Sequence, residues 1–112
     1  MSDDVPPRIV PSAKLTDYLL RPDHPVGGSK AAFFQAFGFS AAHLDIVTAA
    51  LVAHPDHNPV AETERSRWGT KYVVRCRIRT PDGRDPCVLT VWIVPPNQTD
   101  ARLVTAYPDE GS

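Results

Sequence analysis

Between Tyr72 and Val94 the chain alternates. Tyr72, Val74, Cys76 and Ile78 are interleaved with Val73, Arg75, Arg77 and Arg79, and Cys87, Leu89, Val91 and Ile93 with Val88, Thr90, Trp92 and Val94. A period of two is that of a strand with one buried face. Thr80-Pro81-Asp82-Gly83-Arg84 between the two runs has the residues of a hairpin turn. Pro95-Pro96-Asn97 turns the chain again, and Arg102 to Tyr107 predicts a last strand. The second half is therefore an antiparallel meander.

The first half has a different period. Ser12 is suited to cap a helix in which Leu15, Tyr18 and Leu19 recur at helical spacing until Pro22 stops it. Ser29 caps a second helix with the stripe Phe33, Phe34 and Phe37, and Gly38 suits its C-terminal end. From Ser40 a third helix places Leu44, Val47 and Leu51 on one face, flanked by Ile46 and Ala50, until His54 and Pro55. Asp56 to Ser66 reads as a polar loop. The expected class is α+β, with two to three N-terminal helices packed on an antiparallel β-meander of three to four strands. The expected organisation is a flexible tail over 1–11, one domain over 12–108 and a flexible tail over 109–112.

Register decides which side chains share a face. With a two-residue loop at Asp82 and Gly83, Tyr72 faces Ile93, Val74 faces Val91, Cys76 faces Leu89 and Ile78 faces Cys87, so the apolar residues lie together. A three-residue loop would mix the arginines among them, at several kcal/mol for each unpaired buried charge, which argues for the first register. The opposite face then carries Arg75, Arg77 and Arg79 beside Thr90 and Trp92. Such a row reads either as a solvated strand face or as a surface for phosphates and stacked bases.

At 112 residues the chain is one domain that can bury a single core. A net charge of -1 argues against a generic polyanion binder, but the distribution is uneven. Arg65, Arg67, Lys71, Arg75, Arg77, Arg79 and Arg84 cluster against the single acid Asp82, a local patch able to steer a polyanion. No apolar run approaches the roughly 20 residues of a membrane span, and the N-terminus lacks signal-peptide character, so a cytoplasmic location with no membrane partner is expected. Two cysteines are too few for a disulfide framework, and Cys76 and Cys87 read as buried thiols.

The elbow from Arg21 to Gly28 joins proline, histidine and two glycines between apolar segments, the make-up of a shaped loop. His24 within it can act as general acid or base near neutrality. Lys30, in the first turn of the second helix, opposes the macrodipole, and an anion there would relieve the conflict. Thr105 and Tyr107 share a face of the last strand and offer hydroxyls to a phosphate or ribose. Each of these four also has an ordinary structural reading. His54, Asp56 and His57 lack a third strong ligand for zinc, so no metal and no cofactor is expected. His43 reads as a solvated bystander.

The run Lys14-Leu15-x-x-Tyr18-x-Leu20-x-Pro22-x-His24-Pro25-x-Gly27-x-x-Lys30-Ala31-x-x-Phe34, closed by Gly38-Phe39, resembles the signature of a family of small bacterial and phage domains of undefined function. Trp68-Gly69-x-Lys71-Tyr72, the Thr80 to Arg84 turn, Val91-Trp92-Ile93 and Leu103 to Tyr107 also fit that pattern. Such domains occur free-standing and within phage head-morphogenesis and polymorphic-toxin proteins. They resemble the metal-independent ribonuclease toxins that include barnase, EndoU and the mRNA interferases, although a second histidine of the EndoU kind has no obvious counterpart. The resemblance implies a toxin-like endoribonuclease in which the ribose 2′-hydroxyl attacks the adjacent phosphate. His24 would move the proton, Lys30 would stabilise the phosphorane, Thr105 or Tyr107 would position the phosphate, and Arg75, Arg77, Arg79 and Trp92 would hold RNA. A cognate antitoxin or immunity protein is then expected. The alternative is a non-catalytic binding protein, itself an antitoxin, immunity partner or phage-encoded inhibitor. An exposed meander edge leaves a homodimer open.

Overall fold

The computed structural model describes residues 6–11, 15, 28–40 and 42–108, with the side chains of 28–31 outside the description. The first expected helix, apart from Leu15, and the elbow with His24 lie outside the described residues, as do residues 109–112. In chain order the elements are β1 (Arg8–Ile9), α1 (Gly28–Ala36), α2 (Leu44–His57), β2 (Val60–Ser66), β3 (Gly69–Arg77), β4 (Cys87–Val94) and β5 (Ala101–Pro108). The class is α+β. The five strands form one mixed sheet in the order β1-β5-β4-β3-β2, with β1 parallel to β5 and the other pairs antiparallel.

The sheet is wider than the expected three to four strands at both edges. Arg8 and Ile9, read from sequence as part of a flexible tail, pair with Ala101 and Arg102. Arg8 is fixed further by its Nε–H to the Val52 carbonyl and an ion pair with Asp56. The expected polar loop contains β2, an edge strand that among the described residues pairs on one side only and whose side chains are almost all exposed. With no buried face to fill, β2 shows no alternation.

α1 ends as its sequence predicts. Gly38 has φ +99°, its N–H bonds the Gln35 carbonyl, and the Phe39 N–H reaches back to the Phe34 carbonyl. This is a Schellman ending, and the Phe34 and Phe39 rings, 6.0 Å apart, supply its apolar contact. A side chain at Gly38 would also press on Pro81 of the β3–β4 loop. That loop docks through Arg84, whose guanidinium lies 4.3 Å from the Phe37 ring centroid and donates to the Ala36 carbonyl.

α2 starts later than Ser40 and ends later than His54. The Ser40 hydroxyl accepts from the Ala42 N–H, closing a turn ahead of the helix, and the helix tolerates Pro55 in its last turn. Leu44, Val47 and Leu51 face the sheet as expected, and His54 continues their row as a fully buried residue. The core joins these side chains to Leu15, Phe34 and Phe39 from the helical side and to Val74, Ile78, Val88, Trp92, Leu103 and Ala106 from the sheet.

The β3–β4 register is offset by one residue from the expected one: Tyr72 faces Trp92, Val74 faces Thr90, Arg75 faces Leu89 and Arg77 faces Cys87. Val88, Thr90 and Trp92 therefore face the helices. Leu89 and Val91 share the outer face with Arg75 and Arg77. No guanidinium is buried by this, since both arginines are exposed. A long side chain lays its stem on apolar neighbours and keeps its charge in water, which removes the penalty that argued for the other register.

Gly69 follows the tight Arg67-Trp68 turn between β2 and β3, with φ +126°, and a Cβ there would collide with the Val94 carbonyl oxygen. Gly83 has φ +80° with open space around it. Gly69→Ala is expected to lose about 2 kcal/mol or more of stability through strain and clash together, and Gly83→Ala only the strain. Urea unfolding of both variants measures the difference.

Candidate functional site

The polar centre of the core fixes the geometry around it. His54 Nε2 lies 2.7 Å from the Cys76 carbonyl, which can only accept, so Nε2 carries the proton. Nδ1, 2.9 Å from Thr90 Oγ1, then accepts the Thr90 hydroxyl proton, and the same Oγ1 accepts from Trp92 Nε1–H at 2.9 Å. Every polar atom of the chain Trp92, Thr90, His54 and Cys76 is thereby satisfied. Burial, chiefly, and the nearby His57 push the His54 pKa below its usual value, while the hydrogen bond to Cys76 opposes them. Cys76 has φ 123°, rare for a residue with a side chain, and its carbonyl is held on the helix side.

Just past this network, the end of α2 is tied to the end of β3. The Asn58 side-chain amide donates to the His54 carbonyl at 3.0 Å and to the Arg77 carbonyl at 2.9 Å. Asp85 ties the loop beyond: its carboxylate accepts from the Thr80 N–H, and its own N–H donates to the Thr80 hydroxyl. Between these two fixed points lies an open groove of about 340 Å³ lined by His57, Asn58, Cys76, Arg77, Arg79 and Asp85. Among the described residues no carboxylate forms an ion pair with Arg77 or Arg79. The groove thus gathers the guanidiniums of Arg77 and Arg79 and the imidazole of His57 against one carboxylate, Asp85, which is engaged by Thr80. The two guanidiniums suit a phosphate-like anion, and the imidazole can donate or accept a hydrogen bond beside it.

The residues expected from sequence fall in different places. Arg77 and Arg79 line the groove. Arg75 lies on the outer sheet face, where Leu89 separates it from Tyr107 in one cross-strand row, and Thr105 faces Val91 in the next. A bulge at Val104 keeps Thr105 and Tyr107 on that shared face while Leu103 and Ala106 turn inward. Lys30 falls in the first turn of α1, its side chain outside the description. Trp92 is a correction: its indole is wholly buried on the helix side and cannot stack on a base. The one-residue offset in register put it there.

His57 was passed over because the metal reading grouped it with His54 and Asp56. The three do not converge: both ring nitrogens of His54 are engaged in the core, Asp56 pairs with Arg8, and His57 opens on the groove. The exposed indole is Trp68, 68% accessible at the β2–β3 turn with the Arg67 guanidinium 5.0 Å from its ring centroid.

Comparison with protein families gives a match over residues 3–110 to a domain of unknown function, DUF6883. The chain belongs to the DUF6883 family. No curated protein matches it. Among solved structures, this DUF6883 domain is similar to a chain of a contact-dependent growth inhibition toxin–immunity protein complex from Klebsiella pneumoniae 342. The TM-score is 0.70 at 14% identity, over 90% of this chain and 99% of that one. At that identity the likeness is one of fold.

The His54 network makes stability depend on pH. Because its folded pKa lies below the unfolded value of about 6.5, the unfolded chain binds more protons between the two. The contribution is fully present above about pH 6.5 and is lost as pH falls through the folded pKa. Urea midpoints measured from pH 8 to pH 5 are expected to fall below pH 6.5, with a flatter profile in His54→Gln.

Proposed function

We propose that this DUF6883 domain is a toxin domain that cleaves RNA without a metal, by attack of a ribose 2′-hydroxyl on the adjacent phosphate. One observation carries the reading: His57, Arg77 and Arg79 line a single open groove beside ordered backbone. Arg77 and Arg79 hold the scissile phosphate and stabilise the charge that builds on it as the 2′-oxygen bonds to phosphorus. The His57 imidazole takes the 2′-hydroxyl proton. The bond to the 5′-oxygen breaks, that oxygen gains a proton, and the products are a 2′,3′-cyclic phosphate and a 5′-hydroxyl. His24 is the sequence's candidate for the second proton transfer, with Lys30 as a further cation. Thr105, Tyr107 and Arg75 lie on the outer face, where they suit the flanking strand. The fold shared with a chain of a toxin–immunity complex supports a place in such a pair, as toxin or as immunity protein, and with it a cognate protein partner.

A second reading rests on a different observation. Among the described residues β2 is an open sheet edge, followed in its turn by the exposed Trp68, and such edges and indoles suit a protein partner. In that reading the domain is a non-catalytic antitoxin, immunity protein or inhibitor.

An RNA oligonucleotide and its all-deoxy counterpart, incubated with the protein in the presence of a chelator, separate the two. Cleavage of the RNA alone, leaving a cyclic phosphate, is expected. His57→Ala is expected to lower the rate by about a hundredfold or more, and Arg77→Glu with Arg79→Glu to abolish it. Wild-type rates in His57→Ala would remove His57 from the mechanism. Intact RNA with the wild-type chain, together with a protein complex weakened by Trp68→Ala, would favour the second reading.

A further inference from the structure

We propose that Cys76 and Cys87 form a reversible disulfide across the end of β3 and the start of β4, made by exchange with an anionic low-molecular-weight disulfide such as glutathione disulfide. The two thiols, expected from sequence to be buried, are both partly exposed, and their Sγ atoms lie 2.8 Å apart. They are not a directly opposed cross-strand pair, because Cys87 faces Arg77 and Cys76 faces Val88. The pairing of sulfurs depends instead on Cys76, whose φ of 123° departs from strand geometry. That conformation is held from the helix side by His54 on the Cys76 carbonyl and by Asn58 on the Arg77 carbonyl. A strained backbone fixed by its surroundings at two touching thiols is the kind of feature that accompanies function.

The surroundings also select the oxidant. Cys76 lines the groove with His57, Arg77 and Arg79, and the two guanidiniums outnumber the one carboxylate there, Asp85, so a disulfide bearing carboxylates is drawn to it. The Cys76 thiolate attacks one sulfur of glutathione disulfide, the glutathione S–S bond breaks and one glutathione leaves as its thiolate. The Cys87 thiolate, already in contact, attacks Cys76 Sγ, breaks the mixed disulfide and releases the second glutathione. The two protons lost by the cysteines end on the two glutathione thiols, and two electrons pass from the protein to the reagent. An excess of glutathione reverses both steps. The bridge joins the strands next to Arg77, whether or not the groove acts on RNA.

The full chain, equilibrated in buffers of graded glutathione to glutathione disulfide ratio, quenched with acid and treated with N-ethylmaleimide, reports the state of both thiols by intact mass. A species with two adducts is expected to give way to a monomer with none, both sites being lost together. Its midpoint is expected to shift to lower glutathione disulfide in the folded chain than in urea, since only the fold holds the sulfurs in contact. Two adducts at every ratio, persistent glutathione adducts, a disulfide-linked dimer, or equal midpoints with and without urea would each overturn the proposal.

Discussion

The hydrogen-bonded chain from Trp92 through Thr90 and His54 to the Cys76 carbonyl joins the helix layer to the sheet. An unpaired polar atom in that position would cost about 1–3 kcal/mol, so the network specifies the fold as much as it stabilises it. It allows a histidine on the buried face of α2 and a threonine in the middle of the central strands, and it gives the Cys76 carbonyl a partner on the helix side. Only one tautomer of His54 satisfies all the partners, and that tautomer is neutral. Burial favours the same state, so geometry and electrostatics agree.

The groove is a consequence of that join. His54 anchors the end of α2 on β3, Asn58 extends the anchoring by one residue, and the Thr80–Asp85 pair fixes the loop that follows. What remains between these points is a concavity whose walls are regular elements and a tied turn. Its cations are consequently presented by ordered backbone. The loop itself is held to α1 through Arg84, Asp82 and Pro81, and the Arg84 N–H, first among several donors, keeps the Asp82 carboxyl below its usual pKa.

Half of the site was legible in the sequence. Seven basic residues between Arg65 and Arg84 marked the region, and alternation placed Arg77 and Arg79 at a strand end. His57 was not, because a histidine after a proline near a helix end looks the same whether it faces solvent, a metal or a groove. Trp92 was placed on the wrong face for a related reason. β4 is apolar on both faces, so alternation could not say which face met the helices, and a one-residue offset moved the indole from the surface to the core.

By itself the sequence determined the class and the order of the layers, because a period of 3.6 can be buried only by a helix and a period of two only by a strand. It determined the end of α1 as well, since Gly38 is the residue that accepts the left-handed conformation there, with Phe34 and Phe39 at the spacing that closes it. The tertiary structure alone decided the strand register, the recruitment of Arg8–Ile9 and Val60–Ser66 into the sheet, and the meeting of His57 with Arg77 and Arg79. The physical reason is common to all three. Edge pairing uses backbone groups that every residue carries, and register was settled by hydrogen bonds between His54, Thr90 and Cys76, residues too far apart in the chain for any local pattern to record.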